Sequence, residues 1–228
     1  MQAENGVTSA LQAPRRFFGW FEAVFDSLYL VTALYLATFL LYRPQTPVKS
    51  LAGVMGLVLV AGDLFHLVPR ILVAAFGQGS RLGNALGRGK MITSVTMTVF
   101  YVLLWHVGLL LWPHRALLEW TTAVYALAAC RTGLCLLPQN QWRSGAPPLR
   151  WAIYRNVPFV LLGAVVAILY GHIGTVYPAL SGMSTAIALS FACYLPAALL
   201  AGRYRMLGIL MLPKTLTYLW MLWMFTTL

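Results

Sequence analysis

Seven apolar stretches follow one another along this chain: Ser27–Tyr42, Leu51–Phe76, Met91–Trp112, Leu117–Leu137, Val157–Gly174, Ala179–Ala201 and Leu207–Leu228. A helix needs roughly 17–25 mainly apolar residues to cross a hydrocarbon core of about 30 Å. No water reaches that core, so each spanning segment must satisfy its backbone N–H and C=O groups internally, and long apolar runs do this as helices. The expectation is an all-α, polytopic integral membrane protein built as a seven-transmembrane-helix bundle. Only 9% of the 228 residues are charged, against about 25% in a typical soluble domain. Residues 15–228 read as one transmembrane domain behind a polar, disordered tail at 1–14, with no room for a separate soluble domain.

The net charge of +11 raises nucleic acid as a partner, but its placement argues for topology instead. Arg15 and Arg16 precede the first span, Arg81, Arg88 and Lys90 follow the second, Arg143, Arg150 and Arg155 follow the fourth, and Arg203 and Arg205 follow the sixth. The alternate connections hold only Arg43, Lys49 and Arg115. Short loops rich in Lys and Arg stay cytoplasmic, so the reading is N-in and C-out, in the plasma (inner) membrane, with the lipid bilayer as surroundings and no nucleic-acid partner. The first apolar run is long and lacks a small-residue cleavage site, so a cleavable signal is not expected.

Between the spans, Gly77–Gly89 is expected to be a Gly-rich turn. It lacks the preceding strand and the spacing of a phosphate-binding loop. Pro138–Arg155 is the longest connection and the one expected to be most open to a cytoplasmic partner. Glu22 and Asp26 share one face of an entry helix, where they can meet cytoplasmic arginines. Cys130, Cys135 and Cys193 all fall within spans and read as packed thiols. Leu-Val-Pro69 and Tyr-Leu-Pro196 hint at a three-plus-one-plus-three repeat, the arrangement of many transporters.

An ionisable residue inside a bilayer is costly and marks a functional site by default. Asp63 interrupts the second apolar stretch and Lys214 the last. At 1.5 Å per residue, Asp63 lies about 12 Å and Lys214 about 10 Å from the cytoplasmic edge. At one level, the two can form a salt bridge or share a polar cavity. His66 and Arg70 continue the Asp63 face towards the cytoplasm, and Thr98, Tyr101, Arg131 and Tyr194 supply further polar groups, most in the same half. These eight residues form the candidate ligand-binding site. Pro69, Pro158, Pro196 and Pro213 each remove a backbone donor in that half, from which an irregular, hydrated inner region is expected.

Neither a metal nor another cofactor is expected. Asp63 and His66 offer two zinc ligands, but His106 lies about 14 Å further from the inner edge than His66. A retinal-type receptor would use Lys214 as the Schiff base and Asp63 as counterion, but the inferred orientation runs opposite to it. A lipid-modifying enzyme would rest on Asp63 and His66, with no assigned catalytic residue. The leading reading is a small-solute transporter or permease for an anionic or zwitterionic solute. The alternative is a membrane sensor or scaffold with a ligand or lipid pocket and a cytoplasmic protein partner. A polar path continuing outward would favour transport, and the outer half offers few residues for one.

Overall fold

The computed structural model describes residues 2–42, 46–76, 79–114, 117–144, 147–201 and 204–228, with side chains at 19–42, 46–73, 83–114, 119–144, 147–201, 204 and 206–228. Seven α-helices follow in order: α1 Gln2–Tyr42, α2 Pro47–Phe76, α3 Gly79–Leu111, α4 Leu117–Leu136, α5 Leu149–Val176, α6 Met183–Leu200 and α7 Met211–Thr226. Short 3-10 turns at Pro138–Asn140, Pro178–Leu180 and Arg205–Leu210 join the later helices, and no strand occurs among the described residues. Six of the helices are long and apolar enough to cross a membrane. The other is α4, whose 20 residues include Glu119 and Arg131. The tail expected at 1–14 and the basic residues Arg15, Arg16, Arg43, Arg81, Arg115, Arg203 and Arg205 lie outside the described side chains.

Consecutive helices pack side by side, and α7 closes the ring against α1 and α2. Within this ring α3 also touches α5, so that α4 packs against the α3–α5 pair. Residue placement matches a lipid solvent. Val31 and Ile168 are 67% and 63% exposed, while Asp63 and Arg131 are 5% and 1% exposed. Along α1 the buried positions Tyr29, Ala33, Leu36, Ala37 and Leu40 recur every three or four residues, one face of a helix. Leu28, Val31 and Tyr35 point outward.

The second half of α3 carries Phe100, Tyr101, Leu104 and Trp105 into the centre, all essentially fully buried. Phe100 and Tyr218 meet edge to face at 5.5 Å, and Tyr101 and Phe159 do so at 5.2 Å. Such offset geometries are the favourable ones for aromatic pairs. Nearer the α1–α2 and α3–α4 end, Tyr170 donates to the Leu104 carbonyl and packs on Phe225. These rings pack the centre of that half, and a second cavity of about 300 Å³, lined by Trp105, Trp112, Trp120, Leu169 and His172, lies between α3, α4 and α5.

Three sequence expectations change. Of the segment expected as a turn, the part from Gly79 onward is helix. The glycines there serve close approach: a Cβ on Gly87 would lie 2.7 Å from the Trp142 carbonyl oxygen, and one on Gly89 would lie 2.2 Å from that of Phe65. The connection at Pro138–Arg155 is shorter than expected, because α5 begins at Leu149, and it folds under the bundle with Asn140 fully buried. Pro69, Pro158 and Pro196 sit within continuous helices. Of the four prolines, Pro213 alone lies next to a 3-10 segment, in the first turn of α7, a position in which a missing N–H costs little.

Candidate functional site

Polar side chains from six helices converge near the end of the bundle that carries the α2–α3, α4–α5 and α6–α7 connections. They enclose a cavity of about 210 Å³. Its wall includes Asp26 of α1; Asp63, His66 and Arg70 of α2; Lys90 of α3; Arg155 of α5; Tyr194 of α6; and Lys214 of α7.

The α1–α2 side is a polar seam. Glu22, Asp26 and Tyr29 succeed one another at four- and three-residue spacing on α1, and Asp63, His66 and Arg70 do likewise on α2. Tyr29 donates a 2.7 Å hydrogen bond to Asp63 Oδ2. Arg70 pairs with Glu22 and stands 3.7 Å, Nε to Oδ2, from Asp26. The seam therefore carries three carboxylates and one guanidinium, and the expectation that Glu22 and Asp26 meet an arginine holds.

On the next interface, α2 and α3 approach almost backbone to backbone. A Cβ on Gly62 would fall 1.9 Å from Thr96 Oγ1, and Thr93 donates to the Gly62 carbonyl at 2.8 Å. Pro69 has no N–H for the Phe65 carbonyl four residues back, and its ring crowds that oxygen outward. That oxygen lies against Gly89, where an added Cβ would meet it. This closeness brings Lys90 and Thr93 to the wall that Asp63 and His66 occupy.

The opposite wall depends on the α4–α5 connection. Asn140 caps the end of α4 by donating to the carbonyls of Leu134 and Leu137. Its Oδ1 accepts 2.9 Å from Arg155 Nη1. Trp142 donates to the Cys135 carbonyl, and its ring lies 4.2 Å from the Arg155 guanidinium carbon. Lys214 lies between two rings, with Nζ 5.0 Å from the centre of Tyr218 and 5.5 Å from that of Tyr194. Tyr194 donates to Asn156 Oδ1 at 3.0 Å.

Of the eight residues singled out from sequence, Asp63, His66, Arg70, Tyr194 and Lys214 line the cavity. Asp63 and Lys214 share it without touching. Among the described residues both ion pairs belong to Arg70, and Asp63 is held by Tyr29. Thr98, Tyr101 and Arg131 lie outside the wall. Thr98 bonds the Ser94 carbonyl of its own helix, and Tyr101 meets Ser190 at 3.1 Å in the aromatic core. Arg131 is buried with its guanidinium carbon 3.0 Å from the Phe159 ring centre, rather than standing at the cavity mouth.

Sequence reasoning paired Asp26 with an arginine but left it out of the site, missed Tyr29 and Trp142, and read Lys90 and Arg155 as loop charges. Arg155 was recoverable from the absence of any Pro or Gly between Leu149 and Val157, which lets α5 start early. No group of three metal-type ligands occurs among the described residues. Searches against protein-family models, characterised proteins and solved structures find nothing that this chain matches.

Proposed function

We propose that this chain binds a small anionic or zwitterionic solute in the cavity between α2, α3, α5 and α7, and carries it across the bilayer as a permease. The supporting observation is that the buried cations Arg155 and Lys214, with the exposed Lys90, share a cavity of about 210 Å³ with Asp26 and Asp63. Pockets for drug-sized ligands start near 300 Å³, so the occupant is small. Binding at polar groups well inside a bundle, with a packed aromatic layer of Phe100, Tyr101, Phe159 and Tyr218 beyond them, fits a permease open to one side. The short-loop charge bias makes that side the cytoplasm of a plasma-membrane protein with N-in, C-out topology.

A second reading, a sensor or scaffold that binds the same solute without moving it, draws support from the dense aromatic packing around Phe100, Tyr101 and Tyr218. Flux separates the two. Purified protein is screened by thermal unfolding against amino acids, carboxylates and phosphates, and any stabilising solute is then tested for uptake into proteoliposomes. A solute at one hundred times its Kd adds about 2.7 kcal/mol, and Lys214→Gln is expected to remove that gain. Solute-binding is refuted if no compound of either class stabilises, or if Lys214→Gln keeps the full response. Saturable binding without uptake selects the sensor.

A further inference from the structure

After Glu119 the chain contains no aspartate or glutamate. Nevertheless α4, α5 and α7 bury Arg131, Arg155 and Lys214 at 1%, 8% and 8% exposure. Every carboxylate near these cations must come from α1 or α2, and there Arg70 already occupies Glu22 and Asp26. Asp63 remains, but its Oδ2 is taken by Tyr29, and neither Arg155 nor Lys214 has a carboxylate within 4.0 Å among the described residues. Arg155 Nε is buried without an acceptor, as are Nε and Nη1 of Arg131. Stranded charged donors of this kind are strongly destabilising unless something answers them.

The cavity wall holds four cations, Arg70, Lys90, Arg155 and Lys214, against two carboxylates, Asp26 and Asp63. Counting Glu22 and Arg131 behind the wall leaves the same excess of two positive charges. A net-neutral zwitterion leaves that excess standing, whereas a dianion cancels it. Arg155 and Lys214 both face the cavity, on α5 and on the first turn of α7, so an oxyanion between them ties together two helices that have few other polar links.

We propose that the occupant of this cavity is a soluble dianion, such as a dicarboxylate or a phosphate or sulfate ester, whose anionic group is seated on Arg155 and Lys214 with Arg131 behind. Arg155 is held ready by Asn140 Oδ1 and the Trp142 ring, and its Nε is the free donor. The inference rests on the solute-binding reading and narrows it to one charge class.

The test titrates the full chain, in nanodiscs of zwitterionic lipid, with sulfate, succinate and glycine at ionic strength matched with sodium chloride. Tryptophan emission and the unfolding midpoint are read, and Trp142→Phe identifies the emission that comes from the wall. Sulfate or succinate is expected to saturate at least about tenfold more tightly than glycine, and Arg155→Gln to weaken the dianion about tenfold or more. Lys214→Gln serves as a second variant should loss of the Asn140 contact unfold the first. Glycine binding as tightly as the dianions, or a dianion response surviving both substitutions, overturns the charge assignment while leaving solute binding intact. Silence towards all three probes overturns the assignment and weighs against the broader reading as well. A repeat in phosphatidylglycerol discs tests a lipid headgroup as occupant: abolition of the sulfate response there overturns the soluble assignment.

Discussion

Replacing Gly89 by alanine tests how tightly α2 and α3 must meet for the cavity wall to form. The new Cβ would stand 2.2 Å from the Phe65 carbonyl oxygen, 2.8 Å from its carbon and 2.9 Å from His66 Cα. Since Cβ atoms essentially never approach heavy atoms closer than 3.0 Å, the deficit is 0.8 Å. It falls on backbone, which cannot rotate away. Overpacking of this kind costs about 1–3 kcal/mol, and alanine returns up to about 1 kcal/mol of helix propensity. With the full return the net loss is about 0–2 kcal/mol, or a midpoint lowered by up to about 8 °C at this chain length. Gly83, on the same helix, has nothing within 4 Å of its own missing Cβ, so Gly83→Ala should leave the midpoint unchanged or raise it. Pro69→Ala supplies the N–H that Phe65 lacks and draws the carbonyl back into α2, so Pro69→Ala/Gly89→Ala should recover part of the loss. Thermal unfolding in one detergent compares all four variants. Equal midpoints for Gly89→Ala and Gly83→Ala, or a double variant no better than Gly89→Ala, would refute the reasoning.

Tyr29→Phe removes the donor to Asp63 and should cost about 1.5–3 kcal/mol, the range for hydrogen bonds to charged groups. In an Asp63→Asn background the cost should shrink, and a thermal-unfolding double-mutant cycle with zero coupling would show that the 2.7 Å contact contributes nothing. If α4 crosses with the six longer apolar helices, the two ends of the chain lie on opposite faces. In a background with Cys130, Cys135 and Cys193 replaced by alanine, an impermeant maleimide added to intact cells should label Thr227→Cys and not Ser9→Cys. Labelling of both, or of Ser9→Cys alone, would break the proposed topology.

Membrane helices were legible in the sequence because the bilayer punishes every alternative: unsatisfied backbone in hydrocarbon costs several kcal/mol per group. Helix ends were less legible. The segment from Gly79 looked like a turn on glycine content, yet Gly87 and Gly89 are small because neighbouring backbone lies against them, a cause that composition does not reveal. Pro138–Arg155 looked like a loop, yet Asn140 and Trp142 turn it inward to cap α4 and brace Arg155. Pro69 looked like a break, and instead sits within a continuous α2, one turn beyond a Phe65 carbonyl that lies against Gly89 of α3.

Depth is one-dimensional information, and counting residues along the chain supplies an expectation for it. Asp63 and Lys214 were placed at one level by counting residues, and both line a single cavity because a carboxylate and an ammonium avoid lipid by facing inward. The absence of any carboxylate after Glu119 is likewise written in the sequence. Azimuth is different. Whether Asp63 meets Lys214 or Tyr29, whether Arg131 enters the cavity or stacks on Phe159, and whether Arg155 is a loop charge or a buried donor depend on rotations of packed helices about their axes. Those rotations are decided by which residues allow close approach between distant segments, Gly62 against Thr96 and Gly89 against Phe65, and only tertiary packing brings such pairs together.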